Sequence, residues 1–147
     1  MRIIILILSF YILSICTTSP LFSQKVCEST QAGGKWNNPT TWIQGTVPTK
    51  DDSVIINGYV VADTFFECKS LEIEKTGELK IIRENKLSDN IYGDLILYGK
   101  LSIMDYTTLL VHDCFLNCNK AGHGLSNLGT LVIGGNDNAN CDKLKCK

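Results

Sequence analysis

Trp36 and Trp42 are the side chains of this chain with the most obvious capacity to hold a ligand. Indole faces stack on sugar rings, and these two lie six residues apart across the turn signal Asn37-Asn38-Pro39. Together they are the candidate glycan platform. The plainer role for large aromatics near a chain terminus is to cover the open end of a β core, and that reading is preferred. A polysaccharide-cleaving site would need clustered acids on one exposed sheet. The acids on offer are Asp51, Asp52, Asp63, Asp89, Asp94, Asp105 and Asp113, and most sit in turn-like contexts where Asp supplies local hydrogen bonds.

Other constellations are weaker. His112 and Cys114 are two apart, so on a strand they share a face and resemble a nucleophile pair. An exposed histidine beside a disulfide-bonded cysteine is the preferred account of them. Cys114, Cys118, Cys141 and Cys146, with His123, have loosely zinc-like spacings, but oxidation competes with metal in an exported chain. Asn136, Asp137, Asn138, Asn140 and Asp142 offer oxygens without the glycine and terminal glutamate of an EF-hand, and read as an Asx-rich turn. No catalytic residue, metal or cofactor is therefore expected.

Export follows from the N-terminus. Arg2 precedes an apolar run from Ile3 to Cys16, the small or turn-forming residues Thr17-Thr18-Ser19-Pro20 follow, and a small residue stands at Ser23, which is the pattern of a signal peptide over residues 1–23. The run is shorter than the roughly 20 apolar residues of a bilayer span. A lipoprotein anchored at Cys16 is the alternative, although Ile15 is not the small residue that usually precedes a lipidated cysteine. Cleavage after Ser23 leaves residues 24–147 as one domain with a cysteine-rich tail over 114–147. Its 13 basic and 15 acidic residues give a net charge of −2. That balance predicts no nucleic-acid partner, and no membrane span remains after cleavage.

Six cysteines survive cleavage: Cys27, Cys68, Cys114, Cys118, Cys141 and Cys146. An even number in an exported chain predicts disulfides, with the connectivity left open. An extended segment from Cys114 to Cys118 would hold its cysteines roughly 13 Å apart, too far to bridge each other. Pairing both with Cys141 and Cys146 would staple the tail to the preceding chain. Cys27 and Cys68 would then pair together, or Cys68 would be an unpaired small core residue.

The elements that would carry these residues are short strands punctuated by glycine. The phrase Gly-x-Leu-x-(Ile/Leu) occurs at Gly77, Gly93, Gly99 and Gly129. Glycine is expected to supply a positive-φ turn before each strand. Ser53-Val54-Ile55-Ile56 and Tyr59–Asp63 read as the first strands, with Asn57-Gly58 as a hairpin or corner. In Lys69–Glu74, alternation puts Leu71 and Ile73 inside and Glu72 and Glu74 in water. Lys25–Gly58 before these strands reads as irregular, and Arg83–Asn90 and Lys120–Ser126 read as exposed loops.

The run from Trp36 and Trp42 through Gly45-Thr46-Val47-Pro48, Asp51–Ile56, Val61-Ala62-Asp63 and Lys69–Ile73 to Gly77-Glu78-Leu79 resembles the opening of G8-like and related right-handed β-helix modules. These belong to secreted and surface proteins, notably of Bacteroidetes-type bacteria. The resemblance implies a β-helix fold and an extracellular setting, and brings no catalytic residues with it. The expected fold is all-β, a short right-handed parallel β-helix (β-solenoid) with an N-terminal Trp-containing cap. The expected role is an exported, non-enzymatic surface or matrix module for adhesion or carbohydrate binding, its partner an extracellular glycan or surface protein. A small enzyme acting on extracellular polysaccharide is the alternative.

Overall fold

The computed structural model describes residues 25–82, 88–118 and 124–133. In chain order the strands are β1 (Val26–Glu28), β2 (Gly34–Lys35), β3 (Ser53–Ile56), β4 (Tyr59–Ala62), β5 (Glu67–Cys68), β6 (Ser70–Ile73) and β7 (Glu78–Ile81). They continue as β8 (Ser88–Ile91), β9 (Leu95–Leu97), β10 (Lys100–Ile103), β11 (Thr108–Val111), β12 (Phe115–Asn117), β13 (Leu125–Asn127) and β14 (Thr130–Ile133). From β3 onward, successive strands fall in rotation on three sheets. The first sheet is β1-β3-β6-β9-β12, the second β13-β10-β7-β4-β2 and the third β14-β11-β8-β5. Every strand pairing among the described residues is parallel. The chain is a parallel β-solenoid, each coil contributing one short strand to each side.

The register stacks like on like. Inside the first sheet run Cys27, Val54, Leu71, Leu95 and Phe115, one residue per coil. Inside the second run Val60, Leu79, Leu101 and Leu125, beside Ala62, Ile81 and Ile103. The alternating strands of sequence therefore become columns in space, because side chains alternate across a pleated strand. Leu71, Ile73, Leu79 and Ile81 are fully buried, as the alternation predicts. Coil length varies, since Ser53 pairs with Ser70 and Leu71 with Leu95. Corners absorb that difference.

The Gly-x-Leu phrase serves all three sides. Gly77 and Gly99 precede β7 and β10, which lie side by side in the second sheet. Gly93 precedes β9 in the first sheet and Gly129 precedes β14 in the third. Tyr98-Gly99 is the corner between two sides of one coil, and Asn57-Gly58 is likewise a corner, since β3 and β4 lie in different sheets. None of these glycines has positive φ; that conformation belongs to Gly33, Gly34, Gly45 and Gly124. Close approach requires them instead. A Cβ on Gly99 would stand 2.1 Å from the Glu74 carbonyl oxygen and 2.2 Å from that of Gly77.

Four stretches differ from the sequence expectation. β1 and β2 lie within the segment expected to be irregular, and β5 is a two-residue strand that has no alternation to reveal it. Ser88–Ile91 forms β8 inside the window expected to be a loop, and Leu125 and Ser126 belong to β13. In β8 the fully buried Asp89 accepts the Phe66 N–H at 3.0 Å. An inward aspartate makes the strand look like loop sequence, while its neighbours Leu109 and Cys68 show that it faces the core. The signal peptide, Cys16, Cys141 and Cys146 lie outside the described residues.

Two glycine substitutions separate the steric and conformational roles. Gly99→Ala meets backbone carbonyls that cannot swing away, and should cost at least about 2 kcal/mol. Gly45→Ala has open space around its Cβ but φ of +67°, and should cost only about 1 kcal/mol. Denaturant melts of the two variants will rank them in that order.

Candidate functional site

The tryptophans are not a platform. Trp36 and Trp42 are each only 2% exposed and belong to the hydrophobic core. Their rings meet edge to face, with centroids 5.1 Å apart at 75°, and Trp36 also packs on Phe66 at 4.2 Å. The Trp42 indole N–H donates to the Trp36 carbonyl at 2.8 Å, so its one polar atom is satisfied inside. Asn38 starts the 3-10 turn Pro39–Thr41 by accepting the Thr40 N–H, and this turn carries Trp42 back towards Trp36. Both rings pack near β1 and β2, the outermost strands of their sheets. No indole face is available to a sugar.

The four cysteines among the described residues fall into two groups. Cys27 and Cys68 are buried free thiols, which corrects the expectation that they bridge. They stand on different sides of the solenoid, Cys27 on β1 beside Val54 and Cys68 on β5 beside Ile91. Cys68 is the unpaired small core residue of the alternative reading. Burial pushes the Cys68 thiol far up, with the charge of Asp89 adding to it. Burial also raises Cys27, helped by Asp52 and opposed by Lys25. Cys114 and Cys118, flanking β12, are both engaged. β12 is extended against β9, as the spacing argument assumed.

Most of the candidate acids have structural work. Asp63 forms a salt bridge with Lys35 at 2.5 Å, and Asp94 accepts the Cys114 N–H at 3.1 Å. His112 is occupied by other partners: its Nε2 lies 3.2 Å from Asn90 Oδ1 and its ring stacks on Tyr92. Among the described residues, no group of three or more His, Cys, Asp or Glu side chains could hold a metal ion. The zinc and calcium candidates that include His123, Asn136–Asn140, Cys141, Asp142 and Cys146 fall outside the described residues.

What the fold does assemble is a groove of about 1070 Å³. One wall is the segment Thr46–Asp52, carried ahead of β3, which contributes Thr46, Val47, Thr49, Lys50, Asp51 and Asp52. Asp52 closes this segment on itself by accepting the Thr49 N–H and hydroxyl, both at 2.8 Å. Lys25 ties it down by donating to Thr46 Oγ1. The other wall is the corner between the third and first sheets, with Lys69, Tyr92, Gly93 and Asp113 from three successive coils.

That corner carries an aromatic pair. Tyr92 and His112 each follow the last residue of a third-sheet strand, one coil apart, and their rings stack at 5.2 Å and 20°. The Tyr92 hydroxyl donates to Glu67 Oε1 at 2.7 Å, and this bond is the main reason its phenol is held above the usual range. Tyr92 remains 42% exposed. Sequence reading missed this cluster because its members are separated by whole coils. The signal lay in the parallel pairs Tyr92-Gly93 and His112-Asp113, twenty residues apart, which is legible only once the coil length is known.

The two buried thiols should resist dithionitrobenzoate in the native protein and react fully on unfolding. Because their folded pKa values are raised, the unfolded chain loses these protons first as pH rises. The associated stability is intact below the ordinary thiol pKa of about 8.5 and is lost above it. Melting temperature should fall from neutral pH to about pH 10, and less steeply for Cys68→Ala. No protein-family model, curated protein or solved structure matches this chain.

Proposed function

We propose that this chain is an exported, non-enzymatic surface or matrix module whose β-solenoid serves as a rigid scaffold for carbohydrate binding or adhesion. The groove between Thr46–Asp52 and the Tyr92 corner carries the reading. Its volume is at the upper end of ordinary ligand sites, and it combines an aromatic ring with hydrogen-bonding side chains on a framework that need not rearrange. The groove takes the place of Trp36 and Trp42 as the binding surface. The tryptophans are assigned to capping the N-terminal end of the core, in line with their burial near the outermost strands. The resemblance to G8-like modules of secreted proteins supports the extracellular setting in this reading.

Export brings oxidation. Cys114 and Cys118 are engaged while Cys27 and Cys68 are free, which leaves Cys141 and Cys146 as disulfide partners that would staple the tail to β12. Non-reducing mass spectrometry of exported protein should find two free thiols, on Cys27 and Cys68, and two disulfides. Four or six free thiols would defeat the staple.

The second reading, an enzyme acting on extracellular polysaccharide, is favoured only by the presence of Asp51, Asp52 and Asp113 in the groove. Retention of purified exported protein on a polysaccharide panel, with product assayed by reducing ends, separates the two. Retention without turnover is expected. Turnover abolished by Asp51→Asn would instead establish the enzyme.

A further inference from the structure

We infer that the groove recognises a neutral glycan, with the ring of Tyr92 as its stacking platform; this rests on the carbohydrate-binding reading above. The first argument is charge. Lys25, Lys50 and Lys69 line the same space as Asp51, Asp52 and Asp113, so the lining is formally neutral. A polyanionic chain such as a uronan or sulfated glycan would meet one carboxylate for every ammonium. Neutral sugars need what the lining offers, which is interleaved donors and acceptors for hydroxyl groups.

The second argument is preorganisation. Four of the contacts that shape the groove are made within the protein before any ligand arrives. Stacking on His112 and the hydrogen bond to Glu67 hold the Tyr92 ring. The Asp52 turn and the Lys25–Thr46 contact hold the opposite wall. A platform already fixed loses little side-chain entropy on binding. Gly93 adds to this: a Cβ there would stand 2.7 Å from the Lys69 carbonyl oxygen, so glycine lets consecutive coils close up beside Tyr92 and fixes that wall. An aromatic face with lysine, aspartate and threonine side chains around it forms a surface suited to an uncharged ring with many hydroxyls.

The test uses purified exported protein on an array holding neutral, uronic and sulfated glycans. Binding to neutral members is expected, unchanged as ionic strength rises from about 0.1 M to about 1 M, where the Debye length shrinks from about 10 Å to about 3 Å. Tyr92→Ala should weaken it at least about tenfold. Tyr92→Phe, which keeps the ring and loses only the Glu67 bond, should stay within about threefold. Asp51→Asn, on the exposed opposite wall, provides a second variant that leaves the core untouched. Its expected result is weaker binding at an unchanged melting temperature. Neutral-glycan binding that survives both Tyr92→Ala and Asp51→Asn overturns the groove assignment while leaving carbohydrate binding intact. Binding confined to anionic glycans and abolished by salt overturns the neutral class. An array with no binding at all overturns the carbohydrate-binding reading, and this inference with it.

Discussion

Everything in this solenoid depends on how closely one corner can lie on the next. Parallel strands sit about 4.8 Å apart, and the chain must turn between sides without widening that spacing. At Gly77 the space a Cβ would occupy lies 2.1 Å from the Ile56 carbonyl oxygen. At Gly99 two carbonyl oxygens of the coil below fill it. Those carbonyls are also hydrogen-bond acceptors: the Ile56 oxygen takes the Glu74 N–H and the Gly77 oxygen takes the Lys100 N–H. A side chain at the corner would therefore break the ladder as well as crowd it.

Once corners stack, the sides follow. Each buried Leu or Ile of a column meets its counterpart in the neighbouring coils, and full burial of such a side chain contributes about 1.5–3 kcal/mol relative to exposure. Asp89 and the two thiols depart from this apolar filling in different ways. Asp89 is held where the chain enters β5, and its carboxylate supplies an acceptor for the Phe66 N–H. The thiols of Cys27 and Cys68 behave as small apolar side chains because burial keeps them protonated. Trp36, Trp42 and Phe66 fill more volume, with their rings packed on one another inside the core.

The outer surface is freer, and corners are where it varies. Sides must keep alternation and length to preserve register, whereas corners can take up the difference between a coil that carries Ser53 to Ser70 and one that carries Leu71 to Leu95. The groove lies at such a corner. Its aromatic pair exists because Tyr92 and His112 occupy the same corner position in consecutive coils. Its opposite wall exists because the first coil is longer than the others, with the Thr46–Asp52 segment between β2 and β3.

Sequence alone determined the fold class, the strands with clean alternation and the inward faces of Leu71, Ile73, Leu79 and Ile81. The reason is local: a two-residue period and a glycine before it need no knowledge of distant chain. It also marked Gly99 as the turn before a strand. It could not say why glycine is needed there, since a carbonyl from the previous coil imposes the requirement and positive φ does not. β8 was hidden because Asp89 breaks the apolar pattern that identifies a buried strand. Tertiary structure alone decided that Trp36 and Trp42 are buried, that Cys27 and Cys68 stand on different sides, and that Tyr92, Lys69 and Asp113 share a groove with Asp51. Each of those facts depends on coil length, a non-local quantity that varies along this chain and that alternation within a strand does not encode.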